Sequence, residues 1–248
     1  MDNFVLTGSN RGVRERTESV TSKFQAALFG VADYGAGNHQ IFMKVADYLE
    51  RKRPGRHVEG LAACLLPFED NGEIAGKAFR EAIERTAEAG LGCAVNMDTG
   101  YANYIAPSER TEVLKWTIAT LGDGQDFAAG AFVEGREGEL EELYRREMDE
   151  IASHGGTPVI FQTTRFHDWE PQRIIDLYTS ICEPYPKVIA FELGQVFAPF
   201  GMIYEEETIR GLMEIPSLIG IKHSSLSRAE EMKRLALRDE LRPEFRIY

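Results

Sequence analysis

Residues 205–228, EEETIRGLMEIPSLIGIKHSSLSR, hold a whole structural unit in one line. Glu205–Met213 has helical periodicity, Leu218–Ile221 is an apolar run of strand length, and Lys222 ends that run before a small polar turn. Ser227, followed three residues later by Glu230, is the start signal of the next helix.

The same alternation runs upstream. Apolar runs stand at Leu61–Leu66, Leu91–Asn96, Phe127–Val133, Pro158–Gln162, Val188–Leu193 and Leu218–Ile221. The segments between and after them, Gly76–Ala89, Pro107–Leu121, Glu139–His154, Pro171–Cys182, Glu205–Met213 and Ser227–Leu241, are helix-like, and Ser108 before Glu109 and Thr111 reads as a further helix start. Strands apolar on both faces, each followed by a helix, imply a parallel sheet covered by helices: a doubly wound sheet or a (β/α)₈ barrel. Phe245–Tyr248 begins a seventh strand. Seven strand starts over residues 61–248 leave about 27 residues per unit, and an eighth unit does not fit.

Residues 1–60 follow another pattern. Ser22–Phe29 and Gln40–Arg51 read as short helices, the second with Ile41, Phe42, Val45, Ala46 and Leu49 on one face, and KRPGRH at 52–57 as a basic turn or linker. The expected organisation is an N-terminal extension over 1–60 and a barrel-type domain over 61–248.

Composition narrows the function. The chain has 248 residues, 28 Lys+Arg against 40 Asp+Glu, a formal charge of −12, and is 43% hydrophobic and 27% charged, which excludes disordered, collagen-like and disulfide-scaffold classes. Residues 61–248 hold 19 basic and 33 acidic side chains, so nucleic acid and anionic membranes are disfavoured as partners. The start lacks the apolar core of a signal peptide, and no stretch reaches the roughly 18 apolar residues of a membrane helix. The expected location is cytoplasmic. Cys64, Cys93 and Cys182 have no CxxC spacing and mostly apolar neighbours, as buried reduced thiols do.

Several weak signals carry nothing. LTGSNRGV at 6–13 lacks the third glycine and the following acidic residue of a dinucleotide turn, and no GxGxxG follows any expected strand, which disfavours a doubly wound dehydrogenase. DYGAGN at 33–38 resembles a string of glutamine amidotransferase subunits, but Cys93 lacks the flanking elbow glycines that chemistry needs. His39, His57, His154, His167 and His223 show no metal-ligand spacing, so neither a metal nor a cofactor is expected.

Lys222 is different. Inside a parallel sheet an ammonium loses hydration, and the same burial lowers its pKa and makes the amine nucleophilic toward a carbonyl carbon. The alternative is a lysine that simply leaves the strand end into solvent.

LIGIKHSS at 218–225 resembles the Schiff-base strand of the dihydrodipicolinate synthase and N-acetylneuraminate lyase family. LLPFEDNGEI at 65–74 resembles that family's first strand and turn, and NMDTGYANYIAPSERTEVL at 96–114 its second-strand turn and next helix. Gly130 falls at the family's third-strand glycine, and EEETIRGLMEIP at 205–216 resembles the helix leading into the lysine strand. The resemblance spans residues 61–248 and implies a (β/α)₈ barrel of class I aldolase type. It implies a lyase or hydro-lyase in which Lys222 forms a Schiff base with a 2-oxo acid such as pyruvate or a sugar acid, in a homo-oligomer, dimer or tetramer.

The backbone amides and hydroxyl at Thr99 and Gly100 are expected to hold the substrate carboxylate, since turn N–H groups make a small anion nest. Residue by residue, the resemblance places Phe191 where a proton-shuttling tyrosine usually stands, so that hydroxyl is lost. Asp98 or Glu192 is then expected to supply acid–base function, and Arg165 to bind a carboxylate. The arginine expected after the fifth strand is missing from GQVFAPFG at 194–201, which points away from the usual synthase substrate. A barrel without its last quarter would leave two edges open. The chain is therefore expected to be part of a longer barrel lacking roughly 60 or more residues, with poorly cooperative melting on its own. The competing reading is a non-catalytic relative that binds a keto acid or sugar acid.

Overall fold

Each apolar run forms a strand, and each periodic segment the helix behind it, in a computed structural model that describes residues 59–122 and 124–248. The expected helices Ser22–Phe29 and Gln40–Arg51, and the extension they belong to, lie outside the described residues. The strands are β1 (Leu61–Ala63), β2 (Gly92–Val95), β3 (Phe127–Ala131), β4 (Gly156–Ile160), β5 (Val188–Leu193), β6 (Leu218–Ser224) and β7 (Arg246–Ile247). The helices are α1 (Gly76–Glu88), α2 (Pro107–Leu121), α3 (Leu140–Ser153), α4 (Pro171–Cys182), α5 (Glu206–Glu214) and α6 (Arg228–Leu241).

The strands lie side by side in chain order, β1 to β7, and every neighbouring pair is parallel. A doubly wound sheet reverses its order at a switch point; this one never does. Among the described residues it is a (β/α)₈-type barrel with seven strands. β1 and β7 are its edges, and Arg246 Nη2 on β7 reaches Glu59 Oε2 before β1 at 2.9 Å.

Strand alternation divides the apolar side chains into two layers. Val188 and Ala190 of β5 pack toward the helices with residues such as Phe127, Tyr144, Ile181 and Leu218. Ile189, Phe191 and Leu193 point the other way, into an interior filled by Phe132, Phe161 and Phe200. The four phenylalanines meet edge to face at 5.1–6.3 Å between centroids. Each fully buried side chain of this size contributes about 1.5–3 kcal/mol, so the interior is a packed core.

One irregularity decides which way the functional strand faces. Val188 pairs with Leu218, but Ile189 pairs with Gly220, so Ile219 is an extra residue in β6. Leu218 and Ile221 both face the helices, three positions apart. In an unbroken strand Lys222 would share the Leu218 face; the bulge turns it to the interior instead.

Ser227 caps α6 as its spacing predicts, its Oγ accepting from Glu230 N at 3.3 Å. Ser108 does not cap α2. That helix opens on Pro107, whose fixed φ and missing N–H suit the first helical position, and Glu109 Oε2 accepts from Ala106 N at 2.6 Å. Cys64, Cys93 and Cys182 are free and buried. Among the described residues no helix is long and apolar enough to cross a membrane.

Candidate active site

Lys222 stands near the carboxyl end of β6, on the face of the barrel where such folds carry their chemistry. Its Nζ lies 3.7 Å from the centre of the Phe191 ring, 3.4 Å from Asp98 Oδ1 and 3.0 Å from Ser224 Oγ. The amine borders a cavity of about 230 Å³ whose other walls are mostly apolar, among them Leu61, Ala94, Met97 and Ile189. Burial strips water from the ammonium and lowers its pKa; the Asp98 carboxylate raises it, and burial prevails. Its side chain retains 23% exposure, so the amine is screened yet reachable.

Asp98 reaches Lys222 through a distorted strand end. Asn96 takes a left-handed φ of 51°, as does Tyr101 at 57°, bracketing the single turn Asp98–Gly100. Asn96 interrupts the alternation begun by Cys93, Ala94 and Val95, so that Met97 packs in the interior. Thr99 is exposed at the rim of this turn and Gly100 is buried in it. The Gly100 amide already donates to Met97 O at 3.0 Å, so of the expected carboxylate-binding pair only Thr99 is left for a ligand.

The structure separates two expected site residues from the amine. Glu192 follows Phe191 on β5 and therefore points outward, between sheet and helices, with no exposed surface. Its Oε1 and Oε2 accept from Arg234 Nε and Nη2 at 2.8 and 3.0 Å, His223 Nδ1 donates to Oε1 at 2.6 Å, and Tyr204 N donates to Oε2 at 3.0 Å. Burial would raise the pKa of this carboxyl, but the His223 and Arg234 hydrogen bonds outweigh it and hold the group below the ordinary carboxylate range. Glu192 is thus a fixed anion on the wrong face of β5 for acid–base work at Lys222. Arg165 is exposed in the turn Thr164–Phe166, where Nη1 donates to Gly138 O at 2.8 Å, and it lines no part of the Lys222 cavity.

Three neighbours of the site went unread in the sequence. Ser224 is two residues past Lys222, on the same face by strand alternation, a signal that was available in IKHSS. His223 and Arg234 tie β6 and α6 to Glu192, a pairing between distant residues that no local pattern announces. Ser225 Oγ lies 2.7 Å from His223 Nε2, which extends the series to Ser225–His223–Glu192. Arg234 already neutralises the carboxylate, and Ser225 lies outside the Lys222 cavity, so this series reads as a structural tie.

A larger concavity, about 580 Å³, opens at the opposite mouth. Its charges are spent on one another, Lys187 with Asp126 at 2.9 Å and Arg246 with Glu59 at 2.9 Å, and it sits at the amino ends of the strands. Among the described residues no three His, Cys, Asp or Glu side chains gather as a metal site.

Fold and site together define a parallel (β/α) barrel with a half-buried lysine near the carboxyl end of its sixth strand. A curated relative, the 4-hydroxy-tetrahydrodipicolinate synthase of Kosmotoga olearia, is 24% identical over 189 residues, 75% of this chain and 61% of the relative. Among solved structures, a prophage protein of the dihydrodipicolinic acid synthase family from E. coli K12, in complex with pyruvate, superposes with a TM-score of 0.66 at 13% identity, covering 76% of this chain and 62% of that one. N-acetylneuraminate lyase from Mycoplasma synoviae gives 0.59 at 13% identity, with 76% and 61% covered. The chain thus spans about three-fifths of the length of these relatives. No protein-family model matches it. In sequence the chain is similar to a dihydrodipicolinate synthase, and in fold to solved members of the dihydrodipicolinate synthase and N-acetylneuraminate lyase family, in each case at low identity.

Proposed function

We propose that the chain acts as a class I aldolase-type lyase or hydro-lyase on a 2-oxo acid, through a Schiff base on Lys222. The observation that supports this best is the amine itself, partly desolvated beside a cavity and within reach of one carboxylate and one hydroxyl. The ammonium passes a proton to Asp98, and the free amine attacks the ketone carbon. Loss of the carbonyl oxygen as water, carrying that proton back from Asp98, leaves a protonated imine. Charge is conserved, because the iminium replaces the ammonium beside the same carboxylate. The iminium then draws in the electron pair of a C–C or C–H bond at the adjacent carbon, which is the step a lyase needs. Thr99 at the rim is the candidate for holding the substrate carboxylate.

Pyruvate and sodium borohydride test the reading. Reduction should fix an adduct that peptide mass spectrometry assigns to Lys222 and that the Lys222→Ala variant lacks. A chain that binds pyruvate in calorimetry but yields no adduct is a keto-acid binder, the reading favoured by a phenyl ring at Phe191 that offers no hydroxyl.

A further inference from the structure

Imine formation at Lys222 requires a proton to move from nitrogen to the carbonyl oxygen, and we infer that the Ser224 hydroxyl carries it. This rests on the Schiff-base reading above. Around the cavity Leu61, Ala63, Ala94, Met97, Val159 and Ile189 hold no exchangeable proton, the His223 ring is engaged by Glu192 and Ser225, and the Tyr248 hydroxyl lies beside Arg246 Nη1 and not on Nζ. The Phe191 ring under the amine holds no exchangeable proton either. The polar groups on Nζ are Asp98 Oδ1 at 3.4 Å and Ser224 Oγ at 3.0 Å, and they stand there for different reasons.

Asp98 is the counter-charge. It takes the ammonium proton at the start and returns it when water departs. Between those events the attacking nitrogen becomes cationic and the carbonyl oxygen anionic on neighbouring atoms. A neutral hydroxyl can give its proton to that oxygen and take one from that nitrogen in a single exchange, with no net change in its own charge. The exchange yields the neutral carbinolamine, which then loses water with the Asp98 proton. Ser224 is held for this task by β5 and the residue that follows it. It pairs in register with Leu193 of β5, and its carbonyl accepts from Gly194 N at 2.8 Å, while strand alternation sets its side chain on the Lys222 face. The bulge at Ile219 brings both residues inward together, so lysine and hydroxyl reach the cavity as one unit.

The test uses the full chain with pyruvate as probe, quenched by borohydride at successive times across a pH series. Ser224→Ala should lower the plateau rate of adduct formation about 100-fold, the low end of general acid–base contributions, with the apparent pKa of the rate unchanged. Ser224→Thr and Ser224→Val form a shape-matched pair differing by the hydroxyl. Threonine should stay near the wild-type rate and valine should fall with alanine, a comparison that holds even if Ser224→Ala folds poorly. A Ser224→Ala plateau equal to wild type, or a change confined to the apparent pKa, would overturn the inference and leave the Schiff-base reading standing. A wild-type chain that forms no Lys222 adduct overturns both.

Discussion

Lys222 and Phe191 face each other in register across β6 and β5, with the amine 3.7 Å from the ring centre. The ring stabilises the ammonium through its negative face, while burial disfavours the same charge, so the two oppose each other in setting the pKa. Phe191→Leu removes the first and keeps most of the second. The free amine is the reactive form, so adduct formation with pyruvate rises with pH through the lowered pKa. In Phe191→Leu that rise should move to lower pH by roughly 0.5–1 unit. A move to higher pH would show that the ring acts mainly by excluding water.

Asp98→Asn should change two quantities at once. The carboxylate raises the Lys222 pKa by attraction, so its loss shifts the rate profile toward acid. It also removes the proton acceptor, so the plateau should fall about 100-fold. Rate-against-pH curves from borohydride trapping separate the two effects, and an unchanged plateau would remove Asp98 from the chemistry.

The Glu192 cluster should govern stability, not turnover. Arg234→Met leaves a buried carboxylate without its bidentate partner and should cost about 3–5 kcal/mol in urea unfolding. Because the folded pKa of Glu192 lies below its unfolded value, its ionisation contributes stability that is fully present above the unfolded pKa of about 4.3 and lost as pH falls through the folded one. Glu192→Gln should flatten that acid limb, and an acid limb identical to wild type would contradict the assignment.

Gly130 supports the site from below. A Cβ there would stand 2.1 Å from Asn96 O and 2.4 Å from Phe161 Cε2. Backbone at one side and a packed ring at the other cannot both retreat, so Gly130→Ala should cost about 3 kcal/mol, the upper end for overpacking. It should also displace the turn that carries Asp98. Chemical unfolding reads the first effect, and a shifted pH profile of adduct formation the second.

Lys222→Met offers a check on burial itself. The unfolded chain binds the Lys222 proton more tightly than the folded one, so this residue lowers stability at neutral pH, and the penalty shrinks as pH rises from the folded pKa to about 10.4. The methionine variant should melt higher than wild type at pH 7, with the gap closing on the alkaline side. A lower melting temperature would mean that the Asp98 pair outweighs the desolvation.

Strands and helices were legible because their causes are local. Val188–Leu193 is strand-length and apolar on both faces, Pro171–Cys182 is periodic behind a proline start, and both stand where the sequence placed them. Lys222 closing an apolar run and Asp98 in a strand-end turn were local features too, visible as residue types at those positions, whereas the chemistry proposed for them depends on the neighbours that the fold brings up.

Facing was not legible. That Lys222 looks into the barrel depends on one extra residue, Ile219, in the β5–β6 register, and a bulge is a property of two strands together. That Asp98 reaches Lys222 depends on the left-handed turn at Asn96, and that Glu192 does not depends on Arg234 and His223, 42 and 31 residues away. Alternation along one strand tells which residues share a face. Only pairing with the next strand, and the charges buried behind it, decides which face becomes the cavity.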